Sequence, residues 1–198
     1  MGWVYAGRLI ALRKPNDTPE ARQLRPIGMG SILLRLIGSC AARQFAPSFA
    51  SQFDPSSLED FNTESDVWRL LQAGVACPGG AQQVQHTIRE LLHEHPDWVV
   101  FKIDARNAFN TCSRREFMRR VLERVPELYR WVHCCYAAPR PRYVRMEDGT
   151  FHVVYASAGT TQGDPLGPAL FAFTLLHMQE ELAERKARLW DSRRGAGR

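Results

Sequence analysis

The sequence predicts an α+β fold, because segments with the residue pattern of strands and segments with the pattern of helices both occur along its 198 residues. A β-branched and aromatic run at residues 98–103 is typical of a buried strand. The sequence "SRRE" at 113–116 has the form of a capping box that begins a helix. Asp148-Gly149 is a strong turn signal between two strand-like runs. With 44% hydrophobic residues, the chain has enough apolar side chains for a substantial core.

The first half of the chain is predicted to contain a short strand, an extended segment and two helices. Residues 7–14 ("GRLIALRK") have the pattern of the strand, and a loop rich in Pro, Asn and Asp ends it. The extended segment 24–30 leads into the first helix, for which Ser31 is a candidate N-cap. A polar stretch with two prolines predicts a mobile loop at about 46–66. An amphipathic pattern from the Gly pair at 79–80 to the histidine before Pro96 predicts the second helix.

In the second half, the strand at 98–103 is expected to pair with other strands. It should pack on two helices, one beginning at Arg114 and one near Pro165. Residues 142–157 are expected to form a hairpin, and Asp164 and Pro165 have the residue types of an N-cap and a first helical position.

The helix that begins at Arg114 carries four arginines, at 114, 115, 119 and 120, outside its apolar stripe. Two interpretations apply: a solvated helix face, which is the usual one, or a surface that follows the phosphates of a nucleic-acid duplex.

Composition limits the classes of function. The chain has 26 Lys and Arg against 21 Asp and Glu, a net charge of +5 and a pI near 9.2, so polyanions are the expected charged partners. The five cysteines show no CxxC spacing, which argues against a disulfide framework or a zinc site. Such cysteines fit a reducing compartment, so we expect an intracellular protein. We also expect a soluble one, because the sequence shows neither a secretory signal pattern nor an apolar run long enough to cross a membrane.

Asp104 stands where the predicted strand ends and a turn begins. A carboxylate at such a position is held by the strand and open to solvent, which suits a divalent metal ligand. The alternative is an aspartate that stabilises the turn.

Four segments together resemble the reverse transcriptase family, in particular the polymerases of non-LTR retrotransposons. They are "LRPIGMG", "GVACPGGAQQVQHTIREL", "IDARNAFN" and "GTTQGDPLGPALFAF", in family order, and the resemblance runs from about Leu9 to the end of the chain. It implies a right-hand polymerase fold with a fingers-like region at 1–97 and a partial palm at 98–198.

The resemblance assigns metal and sugar contacts to the segment after residue 103. Asp104 corresponds to the first catalytic carboxylate, which binds Mg²⁺, and the carbonyl of Ala105 is a further implied ligand. Phe109 matches the steric gate that packs under the incoming sugar and excludes a 2′-hydroxyl. An ordinary core aromatic is the alternative for this position.

Nucleotide-binding roles are implied at two further places. Gln162 and Gly163 match the loop that contacts the nascent base pair and the template, whereas Asp164 and Pro165 are expected to be structural. Arg25 and Arg35 resemble the arginines that contact the triphosphate, although a surface salt bridge would explain either one.

The sequence departs from the family at one catalytic element. The family carries two adjacent aspartates after the last helix, but no Asp-Asp pair occurs in this sequence, which ends at Arg198. We therefore expect little or no polymerase activity from this chain alone, as for a truncated product, a retroelement remnant or an incomplete gene model. The implied partners are an RNA template, a DNA primer and deoxynucleoside triphosphates, while the oligomeric state stays open. The alternatives are a non-catalytic nucleic-acid-binding remnant and an interaction protein.

Overall fold

The computed structural model describes residues 6–13, 24–53 and 72–176, together with residues 178, 181 and 185. Within these residues, no helix combines the length and apolar character needed to cross a bilayer.

A four-stranded sheet in the order β2-β1-β3-β4 forms one part of the fold. Its strands are β1 (Gly7–Arg13), β2 (Leu24–Met29), β3 (Arg140–Arg145) and β4 (Phe151–Ala156). Strands β1 and β2 pair antiparallel, as do β3 and β4, whereas β1 and β3 pair in parallel. The predicted strand at 7–14 and the predicted hairpin are thereby confirmed.

The hairpin turns where Asp148-Gly149 predicted. Residues 146–150 connect its strands, with Arg145 opposite Phe151. The Met146 amide donates to the Thr150 carbonyl at 2.9 Å, and Gly149 has φ +83°. A left-handed backbone conformation of this kind favours glycine.

Seven helices lie in the described residues. They are α1 (Ile32–Gln44), α2 (Ala46–Phe53), α3 (Gly80–Glu94), α4 (Ala108–Thr111), α5 (Arg114–Arg124), α6 (Pro126–Tyr136) and α7 (167–176). The hydroxyl of Ser113 accepts from the Glu116 amide at 3.2 Å, so the predicted cap of α5 is confirmed. Ser31 is the N-cap residue of α1 as predicted, but its side chain makes no capping hydrogen bond.

The hydrophobic core joins α5, α6 and α7, and it includes α2. No residue of 98–103 belongs to it, so the predicted packing of that segment on the helices near 114 and 165 is wrong. Phe49 and Phe53 of α2 lie four residues apart, and their rings are 6.0 and 5.1 Å from the ring of Phe173 in α7. This packing corrects the predicted mobile loop over 46–53, because a helix presents both rings to the core at that spacing. The remainder of that prediction, 54–66, lies outside the described residues.

The predicted strand at 98–103 is wrong: residues 98–105 have neither strand nor helix structure. Val99, Phe101 and Ile103 are 90%, 87% and 80% exposed. A strand is stabilised by hydrogen bonds to a neighbouring strand, and no strand of the described residues pairs with this segment.

The predicted division of the chain after residue 97 stays a prediction. Within the described residues, the parallel pair joins β1 to β3, and the core joins α2 to α7. Both the sheet and the core therefore draw on residues from either side of that position.

Candidate functional site

Two segments that the sequence singled out lie side by side. The carbonyl of Phe109 accepts from the amide of Thr160 at 2.6 Å and from its hydroxyl at 3.3 Å, and the carbonyl of Cys112 accepts from the Gly159 amide at 2.9 Å. Gly159 has φ +64°, and a Cβ there would collide with the backbone of Asn110. The close approach of the two backbones therefore requires glycine.

Phe109 is at the surface with one side of its ring supported. The side chain is 37% exposed, and its ring lies 4.9 Å from that of Phe171 in α7. Thr160, its hydrogen-bond partner, precedes Gln162 by two residues. The structure therefore brings Phe109 close to the predicted Gln162-Gly163 loop, with the half-buried Phe171 as a support that the sequence analysis missed.

Asp104 lies on the exposed, irregular segment before this contact. The turn that follows passes through Asn107, which adopts a left-handed conformation with φ +53°. In the residues the structure describes, no group of three His, Cys, Asp or Glu side chains is placed to hold a metal ion. Asp104 and the Ala105 carbonyl would supply two oxygens of the roughly six that Mg²⁺ takes, so the described residues do not make a complete metal site.

A buried tyrosine holds the loop that carries Gln162 and Gly163. The Tyr136 hydroxyl donates to one carboxylate oxygen of Asp164 and accepts from the Thr161 amide at 3.3 Å. The other oxygen of Asp164 accepts from the Leu166 amide at 2.9 Å, a bond of the capping type that was predicted, but residues 165–166 form a turn and α7 begins at 167 rather than at Pro165. Burial raises the pKa of Tyr136 and that of Asp164. The loop is thus fixed at Thr161 and at Asp164, on either side of the predicted contact residues.

A second side chain reaches the same loop from the sheet. Arg142 of β3 is buried and donates to the Thr161 hydroxyl at 2.8 Å. On the neighbouring side, a Cβ at Gly28 of β2 would lie 2.8 Å from the Thr161 methyl group. The sheet and the loop are therefore in direct contact, and sequence analysis singled out neither Tyr136 nor Arg142.

A cavity of about 60 Å³ lies where the sheet, α1, α6 and this loop meet. Of the predicted site residues, Arg35 and Gly163 line it. Asp104, Phe109 and Gln162 are not part of its lining. The side chain of Arg25 lies outside the described residues, although its backbone pairs with Leu12 in the sheet.

The arginine-rich face of α5 is neither the solvated helix face nor the phosphate-following surface that the sequence left as alternatives. Arg114 and Arg120 are buried. Arg114 donates to the carbonyls of Gly159, Tyr136, Ala138 and Ala158 at 3.0 to 3.4 Å. Arg114 therefore connects α5 to the ends of α6 and β4, where several carbonyls converge.

The other arginines of this face differ in their ion pairs and in their exposure to solvent. Arg119 forms ion pairs with Glu116 and Glu123 at 2.6 Å each, and Arg120 forms ion pairs with the same two residues at 3.2 and 3.9 Å. Of the four arginines, Arg115 is exposed and makes no hydrogen bond or ion pair within the residues that the structure describes. The surface available for phosphate contacts on this helix is accordingly small.

A family model described as reverse transcriptase (RNA-dependent DNA polymerase) matches residues 12–192. A search of curated proteins found no match.

Proposed function

Because the chain belongs to the reverse transcriptase family, we propose that it is a fragment of the RNA-directed DNA polymerase of a retrotransposon of the non-LTR type. Its ligands are an RNA template with a DNA primer and a deoxynucleoside triphosphate. In this proposal residues 1–97 belong to the fingers and residues 98–198 to part of the palm.

One observation supports the proposal most strongly: the hydrogen bonds between Phe109 and Thr160 bring together two motifs that are far apart in the sequence. A half-exposed aromatic ring beside a loop with a flexible glycine suits a nucleotide site. A ring at this position would exclude a 2′-hydroxyl on the incoming sugar by its bulk. Gly163, with φ +104°, permits close approach of the backbone to the base pair. Phe109 is thus proposed as the steric gate and Gln162-Gly163 as the contact to the base pair.

Catalysis by this chain alone is not part of the proposal. Nucleotidyl transfer with two metal ions needs several carboxylates around the reacting phosphate. Among the described residues Asp104 is the one candidate carboxylate of this segment, and the sequence has no Asp-Asp pair. We expect binding without measurable primer extension.

The test combines binding with activity. The chain is titrated with a labelled RNA–DNA template–primer at several salt concentrations, and primer extension is assayed with Mg²⁺ in parallel. We expect binding that weakens linearly on a log–log plot as salt rises, because phosphate contacts release counterions, and no extension above background. Absence of binding at low salt would contradict the proposal.

The exposed segment at 98–103 favours a second candidate, an interaction protein. Val99, Phe101 and Ile103 are almost entirely exposed, and exposed apolar side chains concentrated in one segment promote association. The measurement is the fluorescence of a hydrophobic dye, with and without template–primer. Strong dye binding together with absent nucleic-acid binding would favour the interaction protein over the polymerase fragment.

A further inference from the structure

One face of the four-stranded sheet is turned away from the candidate site. Successive residues of a strand point to opposite faces of a sheet. Arg142 of β3 donates to the Thr161 hydroxyl, and a Cβ at Gly28 of β2 would lie against the Thr161 methyl group, so this side of the sheet faces the 161–164 loop. Tyr143, which follows Arg142 on β3, therefore points to the other side, which we call the outer face.

The strand register defines which residues share the outer face with Tyr143. Tyr143 is opposite Arg8 of β1, and Arg145, two residues further along β3, is opposite Phe151 of β4. Tyr155 lies four residues after Phe151 on the same strand, so it points the same way. The outer face thus carries three aromatic rings from two strands and two arginines from two strands.

The three rings of the outer face are open to solvent. Tyr143, Phe151 and Tyr155 are 40%, 60% and 65% exposed. Within the described residues, none of them packs against another aromatic ring. Each ring therefore presents apolar surface on which a further flat ring could stack.

The outer face is also positively charged. Arg8 and Arg145 are exposed, and neither has a hydrogen bond or an ion pair in the part of the chain that the structure describes. The four strands hold two arginines in β1, one in β2 and three in β3, and no strand contains aspartate or glutamate. The acidic residues of the hairpin, Glu147 and Asp148, lie in the turn beyond the strand ends. The charge of this surface is complementary to an anionic ligand.

We propose that the outer face binds a single strand of nucleic acid, with unpaired bases stacked on its aromatic rings and phosphates contacted by Arg8 and Arg145. Stacking needs the flat face of a base, which a single strand exposes and a duplex hides. A guanidinium group forms paired hydrogen bonds with phosphate oxygens. Because the outer face and the 161–164 loop lie on opposite sides of the sheet, this surface is separate from the site of the proposed function, and the inference goes beyond that function.

The stacking contact is tested with the full chain and a labelled, unstructured single-stranded RNA, whose binding is measured by fluorescence anisotropy. Phe151→Leu removes the ring and keeps an apolar side chain. The matched control is Phe101→Leu, the same change at an exposed phenylalanine outside the sheet. We expect Phe151→Leu to weaken binding by about 5- to 150-fold, the range for one stacked base, and Phe101→Leu to leave it unchanged.

The phosphate contact is tested through the salt dependence of the same binding. Arg145→Gln should reduce the magnitude of the slope of log K against log salt by about 0.7, the value for one phosphate of a single strand. Arg43→Gln, at an exposed arginine of α1, should leave the slope unchanged. Thermal unfolding first establishes that the variants fold, and Arg145→Gln decides the outcome if Phe151→Leu does not.

Two further ligands identify the strand and separate this inference from the proposed function. A DNA strand of equal sequence shows whether RNA or DNA supplies the bases, and Phe151-dependent binding of either supports the surface. A fully paired RNA–DNA duplex has no free bases, so Phe151→Leu should leave its binding unchanged. Phe151-dependent binding of a single strand without any binding of the duplex supports the outer face and counts against the proposed function.

Two results would overturn the inference. The first is single-strand binding in Phe151→Leu and Arg145→Gln equal to that of their controls; together with duplex binding, this result leaves the proposed function standing. The second is self-association of the chain, measured by sedimentation, that Phe151→Leu abolishes while RNA binding stays the same. In that case the exposed edge strand β4 joins two copies of the chain instead.

Discussion

Replacing Tyr136 with Phe tests the account of the 161–164 loop. The hydroxyl is the only part of the side chain removed, so the packing of its ring against Phe117, at 5.4 Å, is retained. The change removes a donor to the Asp164 carboxylate and leaves the Thr161 amide without its acceptor. Both effects destabilise the folded state.

The expected magnitude follows from these two hydrogen bonds. A hydrogen bond to a charged group contributes ~1.5–3 kcal/mol, and an unsatisfied buried amide costs ~1–3 kcal/mol. Because the two share one hydroxyl they are not additive, and we expect a loss of about 2–4 kcal/mol in the free energy of unfolding. For a chain of this size that corresponds to roughly 5–15 °C in Tm.

The assay is chemical and thermal unfolding followed by circular dichroism. Tyr129→Phe is the matched control, since Tyr129 lies on the same helix and its hydroxyl makes no hydrogen bond within the described part of the chain. It should change stability by less than about 0.5 kcal/mol. The reasoning is refuted if Tyr136→Phe is as stable as this control.

Three other perturbations have defined outcomes in the same unfolding assay. Gly159→Ala should cost more than ~3 kcal/mol through backbone collision and its positive φ, whereas Gly149→Ala, with open space around it, should cost ~1–2 kcal/mol. Arg114→Met should cost at least ~3 kcal/mol because it leaves four carbonyls without their donor, while the exposed Arg115→Met stays within ~0.5 kcal/mol. Asp164→Asn tests the raised pKa: an acid whose pKa is higher in the folded state stabilises the fold fully below its ordinary value of 3.8. The stability of the wild type relative to Asp164→Asn should therefore fall as pH rises from 3.8 through the raised folded value, and a pH-independent difference would contradict the burial of this carboxyl.

The features that sequence predicted well are local ones. The cap at Ser113 and the turn at Asp148-Gly149 depend on residues within a few positions of each other, so a short sequence pattern determines them. The hydrogen bond from the Leu166 amide to Asp164, in the turn just before α7, is of the same kind. Apolar periodicity likewise predicted the helix α5, whose Phe117 is fully buried.

The features that sequence missed depend on partners far along the chain. The segment 98–103 has strand-forming residues, yet no described strand pairs with it. Helix α2 was missed because what favours it is the contact of Phe49 and Phe53 with Phe173, more than a hundred residues away. Arg114 was assigned to a solvated or phosphate-binding surface, because the carbonyls that surround it converge only in the folded chain.

In the candidate site, too, sequence motifs predicted the local segments but not the long-range contacts that hold them. Motif resemblance assigned Phe109, Gln162 and Gly163, and the structure places the segments that carry them in contact. The side chains that hold the loop, Tyr136 and Arg142, belong to no motif of the sequence analysis. They are recognised only from their hydrogen bonds.

The role of Phe109 in sugar selection is the most direct test of the proposed function. Binding of a deoxynucleoside triphosphate and of the matching ribonucleotide is measured for the chain with template–primer and Mg²⁺, in the wild type and in Phe109→Val. The proposal predicts that the wild type prefers the deoxynucleotide by about 10- to 100-fold, and that Phe109→Val loses most of this preference by admitting the ribonucleotide. Equal binding of the two nucleotides by the wild type, or a preference that Phe109→Val leaves intact, would contradict it.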